Sequence, residues 1–317
     1  MKTLVTTCPV SDKHLAKIRE IAPDLDIHVF PSIGDAQDML PSAEILITYG
    51  EDLTPEHIGV CTQLKWIHVI SAGLELMPFP EIAARDILVT NARGIHIIPM
   101  AEYTLGMILM FSRRFAELYR NQLDRNWDRT IRIDELHGQT LGVIGAGAIG
   151  TEIAKRAQAF GMKTLGVATT AREQEGFDEM FGRDGMDEVL QRSDFAVVIV
   201  PLTPDTDRLI DEREIGLMKS TAVLINISRG RVVEEAALLD ALQTGKIRGA
   251  GLDVFEQEPL QKDHPFWGMD NVVLTPHLSS RSPHYMERAL AIFRHNLRVT
   301  RAGEGDLQNK IDPVKGY

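Results

Sequence analysis

A strand-like run, Leu141-Gly-Val-Ile, leads straight into Gly145-Ala-Gly147-Ala-Ile-Gly150, and glycines at this spacing fit the binding of a dinucleotide. Gly145 permits the tight turn, Gly147 lets the backbone approach a pyrophosphate, and Gly150 lets helix and strand pack closely. The anion would rest on the unpaired N–H groups of the helix N-terminus, beside Ala148 and Ile149. Thr151 rather than a lysine follows the last glycine, which excludes a Walker-type phosphate loop. About 20 residues after such a turn an acid ordinarily accepts hydrogen bonds from the adenosine ribose. Here that place reads Val167-Ala168-Thr169-Thr170-Ala171-Arg172, with no acid before Glu173. With no carboxylate there, nothing repels a ribose 2′-phosphate, and Thr169, Thr170 and Arg172 are able to donate to one. The expected cofactor is NADP in preference to NAD. A solvated Arg172, its field cancelled by Glu173 and Glu175, would instead leave both cofactors usable.

Elements of the right kind surround this turn. Leu4–Thr7, Ile45–Tyr49, Trp66–Ile70, Ile87–Thr90, Leu141–Gly145, Lys163–Val167, Phe195–Val200, Ala222–Ile227, Gly249–Val254 and Asn271–Leu274 read as strands. Several are continuous apolar runs, as expected for strands covered by helices on both faces. Helical spacing lies between them, as in Ile149, Ile153, Ala157 and Phe160, so the pattern predicts parallel sheets and an α/β class. Met100–Tyr119 reads as one long helix, apolar nearly all round in its first half, and such a helix must be buried between domains or between subunits. A last helix is expected over Tyr285–Arg301.

Bulk properties narrow the function classes. The 317 residues suggest two domains, with the first boundary near residue 98. Apolar and charged contents of 44% and 25% are those of an ordinary globular chain. The net charge of −11 disfavours a partner made of nucleic acid or anionic membrane. Cys8 and Cys61 have no zinc spacing and make no disulfide framework, so no metal is expected and a reducing, cytoplasmic compartment fits. The apolar stretch Leu105–Phe111 is too short to cross a bilayer, and the N-terminus lacks a signal-peptide apolar region.

Downstream of the glycine turn come Val200-Pro-Leu-Thr-Pro-Asp-Thr206, Met218-Lys219, Asn226-Ile-Ser-Arg229-Gly230, Gly251-Leu-Asp253-Val-Phe-Glu-Gln-Glu258-Pro-Leu260 and Asn271-Val-Val-Leu-Thr-Pro-His277. In this order they make the chain resemble, over nearly its whole length, the D-isomer-specific 2-hydroxyacid dehydrogenases, particularly the glyoxylate/hydroxypyruvate reductase-like and phosphoglycerate dehydrogenase-like branches. The resemblance implies two Rossmann-like parallel-sheet domains: residues 1–98 with 286–317 as a smaller, discontinuous substrate domain, and residues 99–285 as the dinucleotide domain. It places the active site in the interdomain cleft and implies a homodimer through the Met100–Tyr119 helix.

The same resemblance assigns roles. Arg229 matches the arginine that binds the substrate carboxylate and polarises its 2-oxo group, Glu258 the acid that orients the catalytic histidine, and His277 the general acid/base. Asp253 matches a cofactor-side aspartate near the nicotinamide, and Pro201 lies in the loop expected to border the cofactor. Ser71-Ala72-Gly73 matches a turn whose N–H groups hold the carboxylate, which with Arg229 and His277 makes Ala72 and Gly73 the substrate contacts. Asn91 and Gly94 match the region before the hinge. These residue types suit the reduction of a small 2-oxo acid. A guanidinium can donate to carboxylate and carbonyl together, a histidine titrating near neutrality can protonate the nascent alkoxide, and a carboxylate on its other ring nitrogen fixes the tautomer.

Some positions depart from the pattern. Leu74-Glu75 follows Gly73 where an apolar residue and Asp are usual, and Leu278-Ser-Ser-Arg281 follows His277 where small residues are usual. Arg281 either lines the pocket and favours an anionic substrate or faces solvent. Trp127 either closes the pocket or serves a core or interface, and His96 and His284 read as satisfied or solvated. Oxidation of 3-phosphoglycerate would ask for more cations than Arg93 and Arg281 supply. A nucleotide-sensing regulator on the same scaffold is the rival from outside enzymology.

Overall fold

The computed structural model describes residues 2–71, 73–74 and 76–314. In chain order its elements begin β1 (Thr3–Thr6), α1 (Asp12–Ile21), β2 (Asp26–Val29), β3 (Ile45–Thr48), α2 (Pro55–Val60), β4 (Trp66–Val69), α3 (Phe79–Ala84) and β5 (Leu88–Asn91). Then follow α4 (Ile97–Ser112), α5 (Phe115–Leu123), β6 (Thr140–Ile144), α6 (Ala148–Ala159), β7 (Lys163–Val167), β8 (Glu179–Phe181), α7 (Met186–Arg192), β9 (Phe195–Val198) and α8 (Glu212–Leu217). The chain continues through β10 (Val223–Asn226), α9 (Glu235–Gln243), β11 (Gly249–Leu252), β12 (Val272–Leu274), α10 (Tyr285–Ala302) and β13 (Lys310–Ile311). It divides into two compact units, Met1–Ile95 with Ser282–Tyr317, and His96–Arg281. The crossings lie three and four residues before the positions expected from sequence. The reason is local: the turn of α4 begins at His96, and the segment before α10 goes with that helix, which packs on α1.

The first unit carries the sheet β13-β5-β4-β3-β1-β2, parallel except for β13, which runs antiparallel to β5. Alternation along its strands sends Leu4, Ile45, Ile47 and Trp66 into a core shared with α1 and α10, while Val5, Leu46, Ile67 and Val69 face the opposite core with Leu53, Ile58 and Ile82. The two free cysteines are buried, Cys8 in the first of these cores and Cys61 in the second. Burial pushes the Cys8 thiol up to about 12 and the Cys61 thiol up to about 11. His68 is wholly buried on β4. Its Nδ1 lies 2.9 Å from Thr90 Oγ1 and its Nε2 3.3 Å from the Ala289 carbonyl, while Trp66 Nε1 donates to the same Thr90 hydroxyl. A carbonyl only accepts, so Nε2 carries the proton, and burial holds this imidazole neutral, down to about 4.

The second unit carries the parallel sheet β12-β11-β10-β9-β6-β7-β8. The chain leaves β6 to one side for β7 and β8, then returns to β9 on the other, so the strand order reverses between β6 and β9. Open α/β sheets bind ligands at such a reversal, outside the carboxyl ends of the strands. Ile144, Val198 and Asn226 stand level across β6, β9 and β10, as do Asn226, Leu252 and Leu274 across β10, β11 and β12. All the loops that follow these strands therefore rise from one edge.

The single helix expected over Met100–Tyr119 is two. Arg114 adopts a left-handed φ of 53°, which interrupts the helix between α4 and α5. The apolar first half of α4 is spent inside its own unit: Met100, Ala101, Leu105 and Ile108 pack with Ile153 and Ala157 of α6 and with Val143 and Val197 of the sheet. Among the described residues, no helix is long and apolar enough to cross a membrane, and no group of His, Cys, Asp and Glu could hold a metal ion.

Candidate active site

Gly145 follows β6 with a φ of 112°, and a Cβ there would stand 2.2 Å from the Ile199 carbonyl oxygen of the neighbouring strand's end. Only glycine permits that turn. Gly147 is the N-cap of α6 and faces open space on the side where a Cβ would project, and Ala148 beside it is exposed. Ile149 is half-buried and Gly150 is buried against the turn, where a Cβ would meet the Gly145 carbonyl. This bare cradle at a helix N-terminus, at the edge where the strand order reverses, fits a pyrophosphate.

Thr169, Thr170 and Arg172 lie exposed beyond β7, and Ala168 is half-buried at the strand's end. Glu175 is held by Lys155 at 2.7 Å, so one of the two acids expected to offset Arg172 is engaged with another cation. On the far side of the reversal, Pro201 is exposed in the loop after β9. Its carbonyl accepts the Thr206 hydroxyl at 2.6 Å, and that same Thr206 oxygen accepts the Thr203 N–H at 2.8 Å.

Arg229, Glu258 and His277 follow β10, β11 and β12, adjacent strands whose ends are level, so the loops bearing Arg229 and His277 are separated by two strand spacings, roughly 10 Å. Asn226 shapes the first loop: its Nδ2 donates to the Arg229 carbonyl, and its Oδ1 accepts from both the N–H and the hydroxyl of Ser228. Arg229 is exposed, with its Nη1 donating to the Ser228 carbonyl at 2.9 Å. A Cβ on Gly230 would fall 1.9 Å from the Phe255 carbonyl carbon, so the Arg–Gly pair is what lets this loop press against the loop bearing Glu258.

Glu258 makes two bonds with its two oxygens. Oε1 accepts the Phe255 N–H at 3.1 Å, and Oε2 meets His277 Nδ1 at 2.9 Å. The first fixes the carboxylate and the second makes the imidazole carry its proton at Nδ1. The other ring nitrogen, Nε2, is thereby left for exchange with a ligand.

His277 itself sits at a φ of 53°, a conformation that costs a non-glycine residue on the order of 1–3 kcal/mol unless neighbours hold it. Asp253 holds it. This residue is wholly buried, and its carboxylate accepts from Thr275 Oγ1 at 2.5 Å, Leu278 N at 2.8 Å and Ser279 N at 2.9 Å, while its carbonyl accepts the His277 N–H at 2.9 Å. Asp253, expected on the cofactor side, braces the histidine turn through these bonds. Sequence reasoning missed Thr275 and Tyr103, whose hydroxyls lie 2.7 Å apart beneath this turn. No spacing signals a contact across 172 positions.

Gly73 belongs to the first unit, where it follows β4. The Ser71 hydroxyl donates to the Gly73 and Tyr49 carbonyls at 3.0 Å, joining the loops after β4 and β3. Ala72 lies outside the described residues.

Residues 105–279 match the family model described as "D-isomer specific 2-hydroxyacid dehydrogenase, NAD binding domain". The chain is 36% identical over 296 residues to a glyoxylate reductase of Thermofilum pendens, covering 86% of this chain and 85% of that protein. It is 33% identical over 310 residues to a D-3-phosphoglycerate dehydrogenase of Methanocaldococcus jannaschii, covering 96% of this chain but only 58% of that longer protein. Among solved structures, a D-isomer-specific 2-hydroxyacid dehydrogenase family protein from Aeromonas salmonicida superposes with a TM-score of 0.84 at 33% identity, covering 98% of this chain and 99% of that one.

Proposed function

Because the chain belongs to the D-isomer-specific 2-hydroxyacid dehydrogenase family, and so to the oxidoreductases that act on CH–OH groups, we propose that it reduces a small 2-oxo acid of the glyoxylate or hydroxypyruvate type to the D-2-hydroxy acid. The observation that carries this reading is the 2.9 Å bond between His277 Nδ1 and Glu258 Oε2 on the loop edge that also bears Arg229.

When bound, a reduced nicotinamide would be the source of the hydride taken up at C2 of the substrate. Arg229 donates from its planar fork to the substrate carboxylate and the adjacent carbonyl oxygen, which draws charge onto that oxygen. His277, starting as the imidazolium, gives its Nε2 proton to the oxygen as it becomes an alkoxide and ends neutral with its remaining proton on Nδ1, which Glu258 accepts in a hydrogen bond throughout. The imidazolium formed in the reverse direction is stabilised by the same carboxylate. Gly145, Gly147, Ala148, Ile149 and Gly150 form the pyrophosphate cradle.

The loop after β7 supports reduction with NADPH in preference to NADH. Ala168 offers no carboxylate to a ribose, Thr169, Thr170 and Arg172 are exposed donors, and Lys155 engages Glu175. Two further readings belong to this proposal. The buried, unpaired cysteines suit a reducing cytoplasm. Phe115, Tyr119 and Leu123, exposed on one face of α5, suit burial against a second copy in a homodimer, which light scattering would register as twice the chain mass.

The test is loss of reduced-cofactor absorbance with a panel of 2-oxo acids and both cofactors, with 3-phosphoglycerate in the oxidative direction. Turnover of glyoxylate or hydroxypyruvate, faster with NADPH, is the expected result. Silence across the panel would replace the enzyme by a nucleotide-sensing regulator. For the cofactor, Ala168→Asp is expected to move kcat/KM toward NADH. A wild type that favours NADH would remove this loop from the choice.

A further inference from the structure

We infer that Tyr103, acting through Thr275 and Asp253, is a positioning residue for His277, so that helix α4 sets the aim of the imidazole. The proton directions in this group are determined by chemistry. The Asp253 carboxylate only accepts, so the single Thr275 hydroxyl proton is spent on it at 2.5 Å. Thr275 Oγ1 must then accept from Tyr103, whose O–H is the donor in the 2.7 Å contact. The result is a one-way chain, Tyr103 O–H to Thr275 O–H to the carboxylate, which ends on the group that holds Leu278 and Ser279 by their N–H bonds. Those two residues and Thr275 flank His277 on both sides.

The acceptor end of this chain is shielded from water, and its Tyr103 and Thr275 members are partly buried. Asp253 and Ser279 are buried, and burial with the Asp253 charge raises the Tyr103 phenol above its ordinary value, so it stays protonated and able to donate. A second contact ties the same helix to the far end of the turn. His96, which precedes the first residue of α4, hydrogen-bonds the Ser280 backbone. Tyr103 on α4 and His96 just before it, seven positions apart, thus bracket Thr275 to Ser280, with His277 between them. The Tyr103 hydroxyl bonds Thr275 and the Thr275 hydroxyl bonds Asp253, while the imidazole Nδ1 bonds Glu258. The effect of the two hydroxyls reaches the imidazole through the backbone conformation at φ 53°.

This inference rests on His277 being the proton donor, and the experiment keeps the two claims apart. The full-length protein is compared with Tyr103→Phe, Thr275→Val and Thr275→Ser by steady-state kinetics with glyoxylate. Proton NMR of the same proteins follows the hydrogen-bonded Nδ1–H signal of His277, assigned by its loss in His277→Gln. Tyr103→Phe is expected to lower kcat about tenfold, the scale of one lost hydrogen bond, with KM changed less than ~2-fold. It should also broaden or shift the Nδ1–H signal. Thr275→Val should do the same, and Thr275→Ser, which keeps the hydroxyl, should restore both readouts. An unaltered kcat and an unaltered signal in Tyr103→Phe would overturn the inference, as would Thr275→Ser behaving like Thr275→Val. Should Thr275→Val fail to fold, Tyr103→Phe, which removes one oxygen atom, decides alone. A wild type inert to every 2-oxo acid would defeat the proposed reaction, and the Nδ1–H signal would still decide the positioning.

Discussion

In the proposed reaction His277 is the proton donor, since Glu258 holds its Nδ1 and Nε2 would be the nitrogen turned to the substrate. Removing the ring should therefore cost turnover and little else. His277→Ala is expected to lower kcat by ~10²–10⁴, the usual worth of a positioned general acid. Binding of reduced cofactor, read by fluorescence titration, should stay within a factor of a few. At Arg229 the shape of the group matters as much as its charge. An ammonium cannot bridge a carboxylate and a carbonyl in one plane, so Arg229→Lys should raise KM and lower kcat together, and a variant that changes neither would exclude the arginine from the substrate. No periodicity marks these residues. Arg229 reads from spacing as a loop cation, Glu258 as one acid beside Glu256 and Asp263, and His277 as one of ten histidines. The resemblance singled them out, and only folding brings Glu258 to within 2.9 Å of His277 across 19 positions.

Elements were far more legible than side chains. Strands covered on both faces, such as Ile45–Thr48 and Val223–Asn226, announce themselves as unbroken apolar runs. The strands that escaped notice are all at sheet edges: β2, with exposed Asp26 and half-exposed His28, β8 with three residues and β13 with two. A half-covered strand that short has no period to read. The break between α4 and α5 also lacked a signal, since an arginine at φ 53° stands where glycine or asparagine would have marked the turn. The contact between the Arg229 and Glu258 loops, in contrast, is written in one residue. Gly230→Ala would drive a methyl group into the Phe255–Glu256 peptide, which has no free end to swing aside. A loss of ~1–3 kcal/mol in unfolding free energy is expected, and kcat/KM should fall because the two loops must part. Chemical denaturation and kinetics on the same preparation would check both. An alanine variant as stable and as active as wild type would show that the loops have slack.

At the scale of the whole molecule, the buried His68 ties acid sensitivity to the first unit. Its folded value lies near 4, below the 6.5 of an unfolded histidine, so between those values the unfolded chain binds the extra proton. Stability is then complete above pH 6.5 and is lost as pH falls toward 4, by ~1.4 kcal/mol for each unit crossed. Unfolding free energies measured at pH 7 and pH 5 should differ by ~2 kcal/mol from this group alone. His68→Gln should be less stable at neutral pH yet show a shallower slope. A slope equal to that of wild type would move the acid sensitivity elsewhere.

The placement of the two cysteines makes the chain its own reporter of breathing. Both belong to Met1–Ile95, and His96–Arg281 contains no thiol at all. Each is sealed from solvent and scarcely ionised near neutrality, so a thiol reagent must wait for an opening that exposes it. Cys8 and Cys61 sit in cores on opposite faces of one sheet, so their separate modification rates under native conditions, read by mass spectrometry of peptides, count the openings of each face. Equal rates would mean that the sheet opens as a unit, and unequal ones that one helical layer lifts before the other, while the dinucleotide-cradling unit stays silent throughout.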